Sequence, residues 1–428
     1  MHLLFRLVFR IASLALKFAL TIVIARTLGF AAVADYGLAV AVSVVSSKLL
    51  GLGFSTEINR RLSGENASIA IHEARRLLSL YCVVYFVIAA VVWLIRVGVD
   101  LPVFAGMSRG VLVGIMLVAF SEHLGLETTS YVFSLHRPRL GSFLLFIRTG
   151  AWAGVAIIAL LSGAVRSIES ILTLWWVTNV VAALGACGCL WNHEYEGKRF
   201  ARAKAAGSVT SVRTVWLDGL PFFVATTVLS CLQYGERFIA SGIITADQLG
   251  RYVFAWSVAN SIQTIAYATV VVTTGPRLVR SLGVATADFR AVLRSSARTS
   301  ICITVLAAAA ILALIQPIFR MAHEPVDGAT RLMLSTLLIS FVLRSIADIY
   351  WSAAIALRLG KQVFVVISAV AIFSMPLEWL SVARLGAVGA AFAHLMVSAA
   401  IVASVLFVVT RCRERQDERR QRARGACP

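Results

Sequence analysis

Arg6, Arg10 and Lys17 fall four and seven residues apart within the apolar start of this 428-residue chain. At about 100° per residue, a helix keeps all three within roughly 40° of one another, so they form one basic stripe. A charge at the centre of a membrane helix costs roughly 2.5 to 3.5 kcal/mol, and such charges usually face a cavity or a partner. Arg6 and Arg10 lie near enough to the chain end to snorkel to an interface, whereas Lys17 is too deep for that to be easy. Lys48, Arg148, Arg237, Arg251 and Arg344 add further cations inside or at the edges of apolar segments. The simplest chemistry for this set is to replace the hydration of an anion crossing a bilayer. Lys17, Lys48 and Arg148 lack a clear partner on their own helices, and are expected to line one water-accessible cavity.

Acids are fewer. Arg344 has Asp348 one turn away, a spacing that allows an ion pair, and Arg237 has Glu236 beside it and Asp247 nearby. His123 and Glu127 share a helix face and, with Glu122 and Asp348, are candidates for proton or cation coupling; pairing with the surplus arginines explains the same acids. Asp218 and Glu378 complete the set of intramembrane acids. Paired catalytic carboxylates, a Ser/His/Asp arrangement and H-E-x-x-H are absent from the sequence, which leaves an intramembrane enzyme without support. A phosphate-binding G-x-x-x-x-G-K-[ST] loop is also absent, so transport is expected to be secondary or passive. Moving one negative charge outward across an inside-negative membrane releases roughly 2.3 kcal/mol per 100 mV. The seven cysteines have no metal-ligand spacing, and neither a cofactor nor a metal is expected.

The elements that must position these residues follow from composition. The chain is 59% hydrophobic and 14% charged, which a soluble domain could not carry without large exposed apolar patches. Its apolar runs are too long and too little alternating for barrel strands, so the expected fold is an all-α polytopic membrane protein of about twelve transmembrane helices. Spans are expected near residues 8–25, 34–54, 77–95, 110–134, 142–162, 169–190, 216–241, 249–274, 297–318, 332–352, 363–380 and 387–410. The opening stretch resembles a signal peptide, but its basic residues and its continuation into another span mark it as a retained first helix. Charges interrupt the hydrophobicity between 216 and 274, which leaves eleven or thirteen spans as alternatives.

Loop charge sets the orientation. With the N-terminus inside, inner segments hold 25 Lys and Arg residues and the alternate segments hold 7. Both termini are therefore expected in the cytoplasm, as is the segment 191–215 with Lys198, Arg199, Arg202, Lys204 and Arg213. That segment divides the chain into lobes 1–190 and 216–410, followed by a basic tail, 411–428, that pins the last helix and touches anionic lipid. The net charge of +19 thus reports topology, and nucleic acid is not an expected partner. An echo of Ala34-Asp35-Tyr36-Gly37 in Ala246-Asp247-Gln248-Leu249-Gly250 suggests that the halves are duplicated, in parallel orientation, with a path between them.

Ile24-Ala25-Arg26-Thr27-Leu28-Gly29, the Ala34-Asp35-Tyr36-Gly37-Leu38-Ala39 segment and Gly51-Leu52-Gly53 resemble the opening of the polysaccharide flippases. These belong to the multidrug/oligosaccharidyl-lipid/polysaccharide exporter superfamily. In the second half Gly219-Leu220-Pro221, Glu236-Arg237, Gly250-Arg251-Tyr252 and Pro276-Arg277-Leu278 extend the resemblance. Ala39 departs from the aromatic residue the family often has, and Glu236 from its aspartate. The resemblance implies two six-helix lobes in a V-shaped exporter fold with a cationic cavity opening alternately to each side. It implies an undecaprenyl-pyrophosphate-linked oligosaccharide as substrate, moved between leaflets of a bacterial inner membrane for lipopolysaccharide or exopolysaccharide synthesis. Membrane lipid, a polymerase and chain-length machinery are the partners it implies.

Three rivals share some of these features. A multidrug antiporter of the same superfamily should have an acidic cavity, and a peptidoglycan-precursor flippase usually follows a fourteen-span plan. A membrane-embedded polymerase or acyltransferase belongs to a different class, but polymerases of sugar repeats usually carry a long outer loop, and here the longest have only about a dozen residues.

Overall fold

A computed structural model describes residues 2–62, 67–98, 107–191, 212–282 and 286–425, and every described element is helical. Lys198, Arg199, Arg202 and Lys204 of the inter-lobe segment lie outside the described residues, as do the side chains of Arg6, Arg213, Asp218 and the tail beyond Arg411.

The first spans are α1 (His2–Leu28) and α2 (Phe30–Leu49), joined at Gly29, whose φ of 87° lies in the left-handed region that a side chain resists. The second ends about a turn earlier than hydropathy suggests. Leu52 and Gly53 take positive φ and lead into α3 (Ser55–Leu62), an eight-residue helix that the span pattern gave no reason to expect. Two long spans follow, α4 (Ala67–Gly98) and α5 (Arg109–Ser134), the latter capped by Ser108, whose hydroxyl accepts from the Val111 amide.

The fifth span is built in three pieces: α6 (Pro138–Phe146), a π-helical turn at Ile147–Ala151, and α7 (Trp152–Leu161). After α8 (Ile168–Trp191) the chain continues through α9 (Val212–Ser241) and α10 (Ala246–Ala266). A second π turn, Tyr267–Val271, leads into α11 (Val272–Leu282). The last helices are α12 (Thr286–Ala313), the short α13 (Ile315–Met321), α14 (Gly328–Ala356) and α15 (Gly360–Gly425).

Nine of the described helical segments are long and apolar enough to cross a bilayer. One of them, Gly360–Arg411, is 52 residues long, more than twice the roughly 20 that a crossing requires. It breaks at Gly386 (φ 58°, ψ −134°), and a Cβ on Gly389 would lie 1.9 Å from the Ser381 carbonyl oxygen. The chain therefore reverses there into two arms, the spans expected at 363–380 and 387–410. Helices α9 and α10 also have membrane-spanning length, but polar and charged residues such as Glu236, Arg237, Asp247 and Arg251 make them less apolar. Counted this way, the chain is a multi-pass, all-α membrane protein on the expected plan.

Packing groups residues 1–254 and 255–428 into two compact units. In the first, α5 packs broadly on α8 and on α2, while α1 lies along α6, α7 and the π turn between them. Helix α9 also packs on α2. In the second unit α14 packs on α15 and α12.

Candidate functional site

One polar centre of the first unit is built on α5, α8 and the π turn of the fifth span. Arg148 lies in that turn, which inserts extra backbone into the helix and changes the direction of its side chains. Its methylenes cross Gly125 so closely that a Cβ there would lie 2.6 Å from Arg148 Cδ. The guanidinium donates to Glu122 Oε1 at 2.7 Å. The other carboxylate oxygen accepts from Asn179 Nδ2 at 2.8 Å and from Trp175 Nε1 at 3.4 Å. Asn179 also donates to Ser121 Oγ at 3.3 Å. Trp175 stacks on Trp152 at 4.7 Å with the planes 5° apart, which closes the apolar wall beside the pair. The arrangement is a hydrogen-bonded ion pair held by three spans.

Arg148 is therefore not the open cation that its own helix suggested. Its partner comes from a residue 26 positions earlier on another helix. Helical spacing locates partners along one helix and says nothing about which neighbour faces it.

Lys17 and Lys48 differ. Lys17 is half-buried with its ammonium 5.7 Å from the Trp175 ring centroid, close enough for a cation–π contact. Lys48 is exposed near the end of α2. Among the described residues neither makes a hydrogen bond or an ion pair, yet both lie in the field of Arg148, Lys17 also in that of Glu122 and Lys48 in that of Glu127. Arg10 is exposed about two turns from Lys17 on the same helix face. The structure thus brings Lys17, Lys48 and Arg148 into one electrostatic neighbourhood, with the arginine neutralised and the two lysines available.

A second cluster surrounds Glu127, which is 2% exposed. The Ser55 hydroxyl, at the start of α3, donates to Glu127 Oε1. His123 Nε2 stands 3.8 Å from the same oxygen, and His123 Nδ1 shares a hydrogen bond with the Tyr85 hydroxyl of α4. Asn59, which ties α3 to Ser130 and Ser134 of α5, completes the attachment of the short helix. The expected His123–Glu127 pairing is present geometrically, and Ser55, Tyr85 and Asn59 are partners that the spacing did not reveal.

The third cluster joins the start of α2 to the end of α9 and the start of α10. Arg237, 1% exposed, donates to the Gly37 carbonyl at 2.9 Å, and lies 5.0 Å from the Tyr234 ring. Tyr252 donates to Glu236 Oε1 at 3.0 Å. Arg251 is exposed, 5.8 Å from the Phe30 ring. A Cβ on Gly37 would come within 2.5 Å of Val253, and one on Gly250 within 1.8 Å of the Phe30 carbonyl oxygen. Tyr36-Gly37, Glu236-Arg237 and Gly250-Arg251-Tyr252, which are far apart in sequence, thus form one close-packed joint. Within it Arg237 serves the packing, and Arg251 presents its charge at the surface.

In the second unit Asp348 Oδ2 accepts from Gln263 Nε2 at 2.7 Å, and Arg344 is buried on the same helix. Ser340 contacts His394 Nδ1 at 2.6 Å and donates to Ser398 Oγ at 2.7 Å, a buried chain that the charge pattern missed because its members are neutral or isolated. Among the described residues no group of three or more His, Cys, Asp or Glu could hold a metal ion.

No family model matches the sequence, and no curated protein does. Solved structures do. The chain is similar to the lipid II flippase MurJ in an inward closed conformation, at 13% identity and a TM-score of 0.70, covering 94% of this chain and 87% of that one. It is also similar to an inward-facing multidrug resistance MATE family transporter of the MOP superfamily, at 13% identity and a TM-score of 0.73, covering 96% and 98%. An outward-facing MATE family transporter gives a TM-score of 0.63 at 13% identity, with 96% and 95% covered. At these identities the likeness shows the fold, which is that of the exporters expected from the sequence.

Proposed function

We propose that the chain is a flippase for undecaprenyl-pyrophosphate-linked oligosaccharide repeat units, moving them from the cytoplasmic to the periplasmic leaflet by alternating access. The observation that carries the reading is the availability of Lys17 and Lys48 beside a neutralised arginine, in a fold shared with a lipid II flippase. A pyrophosphate leaving water needs charge-assisted donors, and two ammonium groups supply them without an ion pair having to break first. Arg10 extends the same stripe toward the cytoplasmic end and gives the headgroup its first contact. Lobes 1–190 and 216–410, joined by the cytoplasmic segment 191–215, move about the joint between α2, α9 and α10. Glu127 and His123, with Glu122 and Asp348, are the candidates for coupling. The protein resides in the bacterial inner membrane with both termini cytoplasmic, beside the polymerase and chain-length machinery, and carries out no chemical conversion of its own.

A second reading is export of another lipid-linked precursor, favoured by the likeness to MurJ, whose substrate is lipid II by name. Export of organic cations is disfavoured because the available charges, Lys17 and Lys48, are positive.

The test is deletion in a strain without redundant flippases. The reading expects loss of a surface or secreted polysaccharide with lipid-linked repeat units accumulating in the inner leaflet. Normal polymer without accumulation would remove it. Arrest of peptidoglycan synthesis instead would favour the second reading.

A further inference from the structure

Helices α11 and α12 pack on each other, and both turn arginines outward. On α11, Thr274 and Leu278 are buried, which leaves Arg277 and Arg280 exposed beside them. On α12, Phe289 and Leu293 belong to the buried stripe, and Arg294 and Arg298 stand one turn apart on the exposed side. Among the described residues none of these four arginines makes a hydrogen bond or an ion pair. Arg290, a turn before Arg294, has contacts within the chain and is left out of the site. The one acid on the two helices, Asp288, is six residues from Arg294 and so about 120° around the helix from it. The motif Pro276-Arg277-Leu278, which the proposed transport path does not use, thus falls beside a second pair of outward arginines.

We propose that this face binds one anionic phospholipid, its phosphate on Arg294 and Arg298 and its negative charge further favoured by Arg277 and Arg280. Depth, charge and the neighbouring surface select that occupant. Residues 299–319 carry no charge and are about as many as the 20 that one crossing requires, so Arg298 sits at the edge of the hydrocarbon core. Arg294 lies about 6 Å farther out, and the headgroup layer is about 5 to 8 Å thick on each side, so the pair brackets the level of lipid phosphates. A guanidinium forks onto phosphate oxygens, and four cations with no acid among them favour a headgroup of net negative charge. The ammonium of a zwitterionic ethanolamine lipid would be repelled. Cys302 and Val305, four and seven residues beyond Arg298, are exposed on the same helix side and give the acyl chain an apolar track that a soluble phosphate could not use. The occupant is a companion of the transporter and not its cargo. In the proposed orientation it belongs to the cytoplasmic leaflet, but binding of the headgroup does not depend on that orientation.

The test uses the purified full chain in detergent with phosphatidylglycerol and phosphatidylethanolamine of identical acyl chains, compared by native mass spectrometry. An arginine near an anionic surface changes binding about fivefold, so two of them should make the tightest-held phosphatidylglycerol outlast the ethanolamine lipid by more than about tenfold. Arg294→Gln with Arg298→Gln should remove most of that preference. Arg294→Lys with Arg298→Lys keeps the charge and should keep the preference, which separates headgroup binding from damage to the fold. Arg320→Gln with Arg331→Gln, at exposed arginines beyond the other end of the span, should leave it unchanged. A photoactivatable phosphatidylglycerol should crosslink within 294–309, and glycerophosphoglycerol, the same headgroup without acyl chains, should not be retained. Equal retention of the two lipids, a preference that survives the double glutamine substitution, the same loss in the lysine variant, retention of the chain-free headgroup, or crosslinks confined to other helices would overturn the proposal.

Discussion

The two units handle buried polarity in different ways. The first stores full charge: Arg148 and Glu122 meet at 2.7 Å with Asn179 and Trp175 completing the shell. The second adds neutral partners, with Gln263 on Asp348, which also lies in the field of buried Arg344, and a Ser340–His394–Ser398 chain. A closed ion pair in a low-dielectric interior tolerates no loss of one member, because the other is left as an uncompensated buried charge. An amide or hydroxyl partner is more forgiving. The first unit is therefore the one where charge can be arranged for work on an anion, and the one where careless substitution should be most damaging.

The sharpest way to break this contrast is Glu122→Gln. It should cost about 3 to 5 kcal/mol by stranding Arg148, seen as a loss of membrane-inserted protein and a lowered melting temperature in detergent. A double substitution, Glu122→Gln with Arg148→Met, should recover much of that loss, and failure to recover would show that the pair is not the source of the damage. Next in size is Gly250→Ala. Its methyl would need space occupied by the Phe30 carbonyl oxygen, 1.8 Å away, so backbone must move and about 1 to 3 kcal/mol should be lost. A wild-type melting temperature would mean that the joint of α2 and α10 is looser than described.

Asp348→Asn in the second unit should be milder, about 1 to 3 kcal/mol, because the new amide oxygen still accepts from Gln263 while buried Arg344 loses the carboxylate's field. A loss as large as that of Glu122→Gln would erase the distinction between the units. Arg384→Gln, at an exposed position near the Gly386 turn, should change stability by no more than about 0.5 kcal/mol and serves as the baseline.

How much of this was legible in the sequence depends on the range of the interaction. Hydropathy located the spans within a few residues for most helices, because lipid demands a continuous apolar stretch of known length. It missed α3, whose polar residues carry no span signal, and it ran α2 a turn too long through Leu50–Phe54. The i,i+4 rule correctly placed His123 beside Glu127. It could not find Glu122 for Arg148, nor the carbonyl of Gly37 for Arg237, since both contacts depend on which helices are neighbours and how they are rotated. The π turn at Ile147–Ala151 adds to that difficulty, because it shifts the face on which Arg148 lies relative to a regular helix. The scattered motifs were better guides: Gly37, Glu236-Arg237 and Gly250-Arg251-Tyr252 meet in one joint, a convergence that explains why glycine and arginine stand where they do.

The central claim is that open lysines, and not the closed arginine, engage the substrate phosphate. The measurement that tests it is export of the lipid-linked repeat unit per membrane-inserted molecule for Lys17→Gln, Lys48→Gln and Arg148→Gln. Losing a cation that forms a charge-assisted contact to phosphate should cost more than about 1.4 kcal/mol, so both lysine variants should insert normally and lose at least about tenfold in normalised export. Arg148→Gln should instead lower abundance. Wild-type normalised export in both lysine variants would contradict the account.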